Sequence, residues 1–246
     1  MSYNQNFISM EYQNIVFLTG AGISAPSGLQ TFRGENGLWY NRNPEDVATL
    51  KAFEDNPLFV LRFYNRLRKE MLQAEPNAAH LAIAELEKKL ADSRQGCVNI
   101  LTQNIDTLHE KANSSRVFHI HGSIASARCT KCNCVWHNER SILLITPCPA
   151  CQSVGTVRPD IVFFEEPLQY QGLTEHFLKN ADLFIAVGTS GKIAPASHFA
   201  AEAKAHGAKT MAFNLEEPEN KQDFDEIILG SAEQTLPQFI KELLSN

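Results

Sequence analysis

Apolar residues gather along this chain in short runs, each stopping at small or polar residues. Ile15-Val16-Phe17-Leu18-Thr19 passes straight into Gly20-Ala21-Gly22, the pattern of a buried strand entering a glycine turn. Similar runs are Cys97 to Thr102, ending at Gln103-Asn104, and Leu183 to Val187, ending at Gly188-Thr189-Ser190. Another is Thr210 to Phe213, ending at Asn214-Leu215-Glu216. Helical spacing appears between them, from Ala78 to Leu90 and from Pro195 to His206, where Gly207 is a natural stop. A closing amphipathic helix is expected from Pro237 to Leu244. Strands alternating with helices predict an α/β fold, a Rossmann-like parallel sheet with helices on both faces. Ligands bind such sheets outside the carboxyl ends of the strands, so the polar strand ends are expected to converge on one site.

Two segments break the alternation. Residues 34–75 hold helical patterns and no clear strand, and read as a helical insertion. Residues 126–157 hold paired cysteines with Pro147, Pro149 and Gly155, and read as a small module. At 246 residues the chain exceeds the ~100–200 of a typical domain, which suits one domain, 1–246, carrying both pieces. Hydrophobic residues at 43% and charged residues at 20% allow a sizeable core in a soluble protein. A net charge of −6 argues against direct nucleic-acid binding and leaves room for a basic protein partner. No run approaches the ~20 apolar residues of a membrane span, so no membrane partner is expected. The polar segment from Met1 to Asn14 lacks the basic start of a signal peptide, and a cytoplasmic location is expected.

Cys129-x-x-Cys132 and Cys148-x-x-Cys151, with 15 residues between the pairs, match the spacing of a four-thiolate zinc site. A closed thiolate shell leaves no position for water, so the site is expected to be structural. Cys134 lies near enough to compete, but Cys129-Thr130-Lys131-Cys132 makes the better knuckle, and Cys97 reads as a core residue.

Gly20-Ala21-Gly22-Ile23-Ser24-Ala25 fits the glycine turn that brings backbone close to a pyrophosphate. The acidic residue that holds the ribose of an ordinary dehydrogenase, about 20 residues further on, is missing. The loop from Ser24 to Gly34 carries Phe32 and Arg33, an aromatic and a guanidinium able to cover a cofactor. Gln103-Asn104-Ile105-Asp106 sits at a strand end. In a strand, His119 and His121 would share a face as a possible metal pair, but no carboxylate stands beside them at ligand spacing. His121, followed by Gly122, fits a general base better, since imidazole titrates near neutral pH.

Taken in order, Gly20 to Ser24, Phe32-Arg33-Gly34, Thr102 to Asp106, His121-Gly122, the cysteine pairs, Gly188-Thr189-Ser190 and Asn214-Leu215-Glu216 resemble the sirtuin family. Asp46 to Thr49 and Pro76 to His80 make the chain look most like the bacterial class that includes the mitochondrial desuccinylase. The resemblance implies a sirtuin-type catalytic domain, an NAD-dependent protein lysine deacylase that consumes NAD as co-substrate and holds one structural zinc. Its partners would be acylated-lysine proteins or peptides. By the same resemblance, Gly20, Ala21, Gly22, Ser24, Phe32, Arg33 and Trp39 would surround NAD with Gly188, Thr189 and Ser190. Asn214, Leu215, Glu216 and Ala232 would face its adenosine half. Gln103, Asn104, Ile105 and Asp106 would line the nicotinamide pocket, Asp106 holding the carboxamide. Asn104 and His121 would be catalytic, His121 as the base on the ribose hydroxyl. The substrate would pair as a strand along Val162, Phe163 and Phe164. Other readings are a mono-ADP-ribosyltransferase using the same nicotinamide cleavage, and a non-enzymatic NAD sensor, which would need no general base.

The match departs from the class at three places. The desuccinylase's Tyr-x-x-Arg, which binds the acyl carboxylate, is here Tyr64-Asn65-Arg66-Leu67, with leucine at the arginine position. Arg68, four residues after Tyr64, lies on roughly the same helix face and is the candidate substitute; the other reading is that Tyr64 packs and both arginines are solvated. The expectation leans to uncharged acyl groups. Glu165-Glu166 stands where the family usually has Gly-Glu, an extra carboxylate expected to disfavour acidic substrates and favour basic ones. Ala194 stands where an aromatic is common, which is expected to widen the acyl channel.

Overall fold

A computed structural model describes residues 12–31, 43–94 and 96–245; Phe32, Arg33, Gly34 and Trp39 lie outside the described residues. The strands are β1 (Asn14–Thr19), β2 (Cys97–Thr102), β3 (Val117–His119), β4 (Gly122–Cys129), β5 (Val135–His137), β6 (Val157–Ile161), β7 (Leu183–Val187), β8 (Lys209–Asn214) and β9 (Glu226–Leu229). The α-helices are α1 (Ala21–Ser24), α2 (Leu50–Asp55), α3 (Pro57–Gln73), α4 (Ala78–Ser93), α5 (Leu108–Lys111), α6 (Gln171–Lys179), α7 (Phe199–Ala205) and α8 (Ala232–Leu243).

The continuous apolar runs form strands covered on both faces. They pair in parallel in the order β3-β2-β1-β7-β8-β9. Chain order reverses direction between β1 and β7, the place where such sheets bind ligands. Ile15 and Phe17 of β1 pack toward Ile83 and Leu86 of α4 and toward Leu236 and Ile240 of α8. Val16 and Leu18 pack toward Phe177 of α6 and Phe199 of α7. The expected doubly covered sheet is therefore present.

Three boundaries differ from expectation. The closing helix begins at Ala232, and Pro237 sits inside it. Proline there forgoes one backbone hydrogen bond, but Ala232, Leu236 and Ile240 all enter the core, and that packing outweighs the lost bond. The segment after Pro195 opens with a 3₁₀ turn, Ala196–His198, before α7. The edge strands β3 and β9 were not expected; they are short and half-exposed, so they carry no long apolar run.

A second, antiparallel sheet of order β5-β4-β6 forms a smaller lobe. The helical insertion and the cysteine module, which look separate in sequence, share one core there. Phe53 of α2 and Val60, Leu61 and Leu67 of α3 pack with Ile124, Ile142, Cys148 and Ile161. Asn65 stitches them together, its side chain donating to Ile142 O (2.8 Å) and accepting from Ile142 N (2.9 Å). At the start of α3, the Asn56 side chain accepts from Phe59 N and Pro57 opens the first turn. Among the described residues no helix is long and apolar enough to cross a membrane.

Candidate active site and metal centre

The strand ends meet at a cleft of about 810 Å³ between the large sheet and the small lobe. Gly20, Ala21 and Gly22 line it after β1, and Gln103, Asn104 and Ile105 after β2. Gly188 to Ser190 follow β7, Asn214 to Glu216 follow β8, and Ala232 opens α8. The facing wall carries Tyr64 and Leu67 of α3 and Val162, Phe163 and Phe164 after β6, with His121 between the walls. Ser24, Asp106 and Arg68 do not line the cleft; each is buried beside it.

The glycines at the strand ends are required by each other. A Cβ on Gly20 would stand 2.7 Å from Gly188 O, and one on Gly22 2.7 Å from Gly188 Cα. Gly188 has φ +63°, and a Cβ there would stand 2.3 Å from Ile23 N. Gly20 N donates to Val187 O and Gly22 N to Gly188 O, each at 2.9 Å. The two loops therefore interlock without side chains, which holds both against the floor of the cleft. The Asn77 side chain fastens α4 to the same turn by donating to Ile23 O (2.8 Å).

Behind that floor lies a polar relay. Asn104 Nδ2 donates to Gly20 O (3.0 Å) and Ser24 Oγ (3.1 Å). Ser24 Oγ in turn donates to Asp106 Oδ2 (2.9 Å), and Asp106 Oδ1 accepts from Leu108 N (3.1 Å). Burial pushes the Asp106 carboxyl above its ordinary range, against the lowering effect of the Leu108 and Ser24 bonds. Asn104 Oδ1 is buried without a hydrogen-bond partner among the described residues, an acceptor at the cleft wall that a ligand donor would satisfy.

His121 Nδ1 lies 3.0 Å from Gln103 O. A carbonyl only accepts, so Nδ1 carries the proton and Nε2 keeps its lone pair. Burial pushes His121 below the ordinary 6.5, which keeps it neutral at neutral pH. His119 differs: both ring nitrogens are engaged, Nδ1 at Asn104 O (2.9 Å) and Nε2 at Glu110 Oε1 (2.7 Å). Burial alone would lower it, but the hydrogen bond and charge of Glu110 raise it. The two histidines thus serve separate networks and form no metal pair.

On the facing wall, Tyr64 stacks on Phe163 with ring centroids 6.0 Å apart, and Phe63, Leu67 and Ile105 extend the apolar surface. Arg68 shares the helix face predicted by its spacing, yet its head turns to β4. Its Nε donates to Ile124 O (2.9 Å) and its Nη1 to Asn65 Oδ1 (2.8 Å). Arg66 is exposed and paired with Glu70. Sequence reasoning passed over Arg158, which is buried and organises the wall. It ion-pairs with Glu166, donates to Ile161 O (2.8 Å), and lies 4.3 Å over the Phe163 ring. Glu166 also accepts from Phe163 N (2.8 Å). Arginine and glutamate eight residues apart across a turn leave no periodic signal, so only the tertiary structure reveals the pair.

The four thiols Cys129, Cys132, Cys148 and Cys151 have their sulfurs within 4.8 Å of one another. That is the donor set and the crowding a tetrahedral zinc needs, so the expected ligands fit the ion. Cys134 is outside this set and packs, half-buried, against the lobe core.

A model described as the Sir2 family matches residues 20–195. The chain belongs to the Sir2 family. Among its relatives are proteins named NAD-dependent protein deacylase. That of Vibrio cholerae serotype O1 is 42% identical over 97% of this chain and 96% of its own length. That of Trypanosoma brucei brucei is 45% identical over 94% of each. Similar solved structures include a Sir2 homologue mutant with ADP-ribose, 34% identical with a TM-score of 0.87 over 96% of this chain and 93% of that one. A Sir2 homologue with NAD is 34% identical with a TM-score of 0.85 over 96% and 91%. A Sir2 complex with a deacetylated p53 peptide and 3′-O-acetyl-ADP-ribose is 32% identical with a TM-score of 0.76 over 96% and 94%.

The three departures from the class pattern all fall on the cleft. Leu67, Glu165 and Ala194 line it together with the strand-end glycines, Gln103, Asn104 and His121.

Proposed function

We infer that this chain is an NAD-dependent protein lysine deacylase whose pocket favours uncharged acyl groups, acetyl among them. The observation that carries this is a cleft in which a neutral, oriented imidazole faces an apolar wall with leucine at the place of a carboxylate-binding arginine. NAD, when bound, supplies the ADP-ribosyl group that receives the acyl oxygen, with nicotinamide as the leaving group. His121 Nε2 accepts the ribose hydroxyl proton, because Nδ1–H is fixed on Gln103 O and burial favours the neutral ring. The free Oδ1 of Asn104 accepts a hydrogen bond from the bound molecule, and the donations from its Nδ2 to Gly20 O and Ser24 Oγ keep that oxygen aimed. Tyr64, Leu67, Ile105 and Phe163 surround the acyl chain and exclude water. A carboxylate in that wall would lose its water shell, and among the described residues no cation lines the wall there. Arg68 is buried behind it, with Nε on Ile124 O, Nη1 on Asn65 Oδ1 and Nη2 without a partner among the described residues. The four cysteines hold a zinc that braces the small lobe and takes no part in the reaction. The protein substrates are acylated on lysine. Cytoplasmic residence, where thiols stay reduced, fits the metal role of the cysteines.

The test is mass spectrometry of one lysine peptide carrying acetyl, a longer aliphatic acyl or succinyl, with and without NAD. Loss of acetyl and of the aliphatic group, with nicotinamide release, is expected, and succinyl loss at least about tenfold slower. Absence of NAD-dependent loss from every peptide contradicts the reading. ADP-ribose mass added to protein without acyl loss would replace it with a transferase.

A further inference from the structure

The segment that follows β6 makes a tight turn at the cleft edge. Glu166 N donates to Phe163 O (3.0 Å), closing a four-residue turn whose third residue, Glu165, has φ +73°. Glycine is the residue that enters this left-handed region without cost, and a glutamate there is strained. The turn cannot relax around it. On one side Phe164 N donates to Ala48 O (2.8 Å), and Phe164 bridges to Thr49. On the other, the Glu166 carboxylate is clamped by Arg158 and Phe163 N. A strained backbone kept with a charged side chain, at a position where glycine removes the strain, points to a use for the charge.

The surroundings say what that use is. Glu165 is exposed and lines the cleft beside Phe164, on the wall that takes the substrate chain. Three other acidic groups of the cleft are ion-paired: Glu166 with Arg158, Glu217 with Lys221 and Glu219 with Lys192. Glu165 has no ion-pair partner among the described residues, and Lys192, the cation lining the opposite wall, is already engaged. Glu216, also without a partner among the described residues, stands at the β8 end, on the sheet side. Among the described residues, the edge beside Phe164 therefore presents one carboxylate without an ion-pair partner, held in place by its turn.

We propose that Glu165 is a specificity-determining residue, which selects acyl-lysine segments flanked by lysine or arginine and disfavours acidic ones. This rests on the deacylase reading for the identity of the bound chain. The carboxylate touches no reacting atom and acts on peptide affinity, so its effect lies in KM and vanishes as salt screens it.

The experiment uses two labelled acetyl-lysine peptides identical except that the acetyl-lysine is flanked on both sides by arginine or by glutamate. Binding by fluorescence anisotropy and turnover with saturating NAD are measured for the wild type, E165Q and E165G. E165Q removes the charge and keeps the strained turn, while E165G removes both. The wild type is expected to favour the arginine peptide by about threefold to fivefold at low salt, and less at high salt. Both variants are expected to lose that preference with kcat on the arginine peptide little changed. Equal binding of the two peptides by the wild type, or an undiminished preference in E165Q, overturns the proposal. A binding preference that depends on Glu165, with no acyl loss from either peptide, upholds it and overturns the deacylase reading instead.

Discussion

The two walls of the cleft are built on different physics. The sheet wall rests on six parallel strands with apolar helices on both faces, and its functional groups arrive at strand ends whose register is set by backbone hydrogen bonds. The small-lobe wall rests on three strands and two helices around one core that includes Cys129 and Cys148. That lobe leaves Leu143, Ile145 and Val154 exposed, and a metal held by its four cysteines would add to the stability of so small a unit. The division of labour follows. Under the proposed function, groups for nicotinamide cleavage and proton transfer would come largely from the sheet side, and acyl and peptide choice from the lobe, where Leu67 and Glu165 stand at the departures from the class pattern.

Removing the metal should separate the walls most sharply. Structural zinc contributes on the order of 10 kcal/mol to folding a small module. Cys148→Ser, or chelation, is expected to unfold the small lobe and expose residues 126–157 to protease, with the sheet still protected by hydrogen exchange. Equal protection of both regions would show that the lobe core suffices alone.

Next in size is His121→Ala, expected to lower deacylation by about 10²–10⁴-fold with little change in melting temperature. The pH dependence carries a sign. The neutral ring is the base and burial lowers its pKa, so activity persists at neutral pH and falls on acidification only through a value below 6.5. An acid limb above 6.5 would assign the base elsewhere.

Gly188→Ala tests the interlocked strand ends. Its Cβ meets Ile23 N and the backbone is left-handed, so a loss of about 2–4 kcal/mol is expected in denaturant unfolding, with weaker NAD binding. On the lobe side, Leu67→Arg is expected to raise the succinyl-to-acetyl activity ratio by about tenfold while lowering stability, because the buried cation lacks a partner until a carboxylate enters. Smallest is Glu165→Gly, expected to raise the melting temperature by about 2–4 °C by relieving the turn, an effect Glu165→Gln does not share.

Much of this was legible in the chain itself. The apolar runs predicted β1, β2, β7 and β8 because strands covered on both faces tolerate few polar residues. The cysteine pairs predicted the metal centre because each half of the ligand set is local, three residues apart. The strand ends marked the cleft residues, since the polar groups there are the ones that the sheet does not bury. Periodicity fared worse where a neighbour far along the chain decides the outcome. Pro237 looks like a helix start, yet the packing of Leu236 and Ile240 carries α8 back to Ala232.

Sequence alone therefore determined the family, the layer architecture, the zinc ligands and most of the cleft wall, because those depend on local pattern and on residue chemistry. Only the tertiary structure decided where side chains point and what they answer to. Spacing placed Arg68 beside Tyr64, but a carbonyl of β4 turned it away from the cleft. The strand-end glycines read as a tight turn open to close backbone approach, and the structure adds that each is needed by the backbone of the other turn. Glu165 was a departure from the family pattern on paper, and became a strained charge with no ion-pair partner among the described residues when Phe163, Glu166 and Arg158 closed the turn around it. Each of these outcomes is set by contacts between distant segments, which no local pattern encodes.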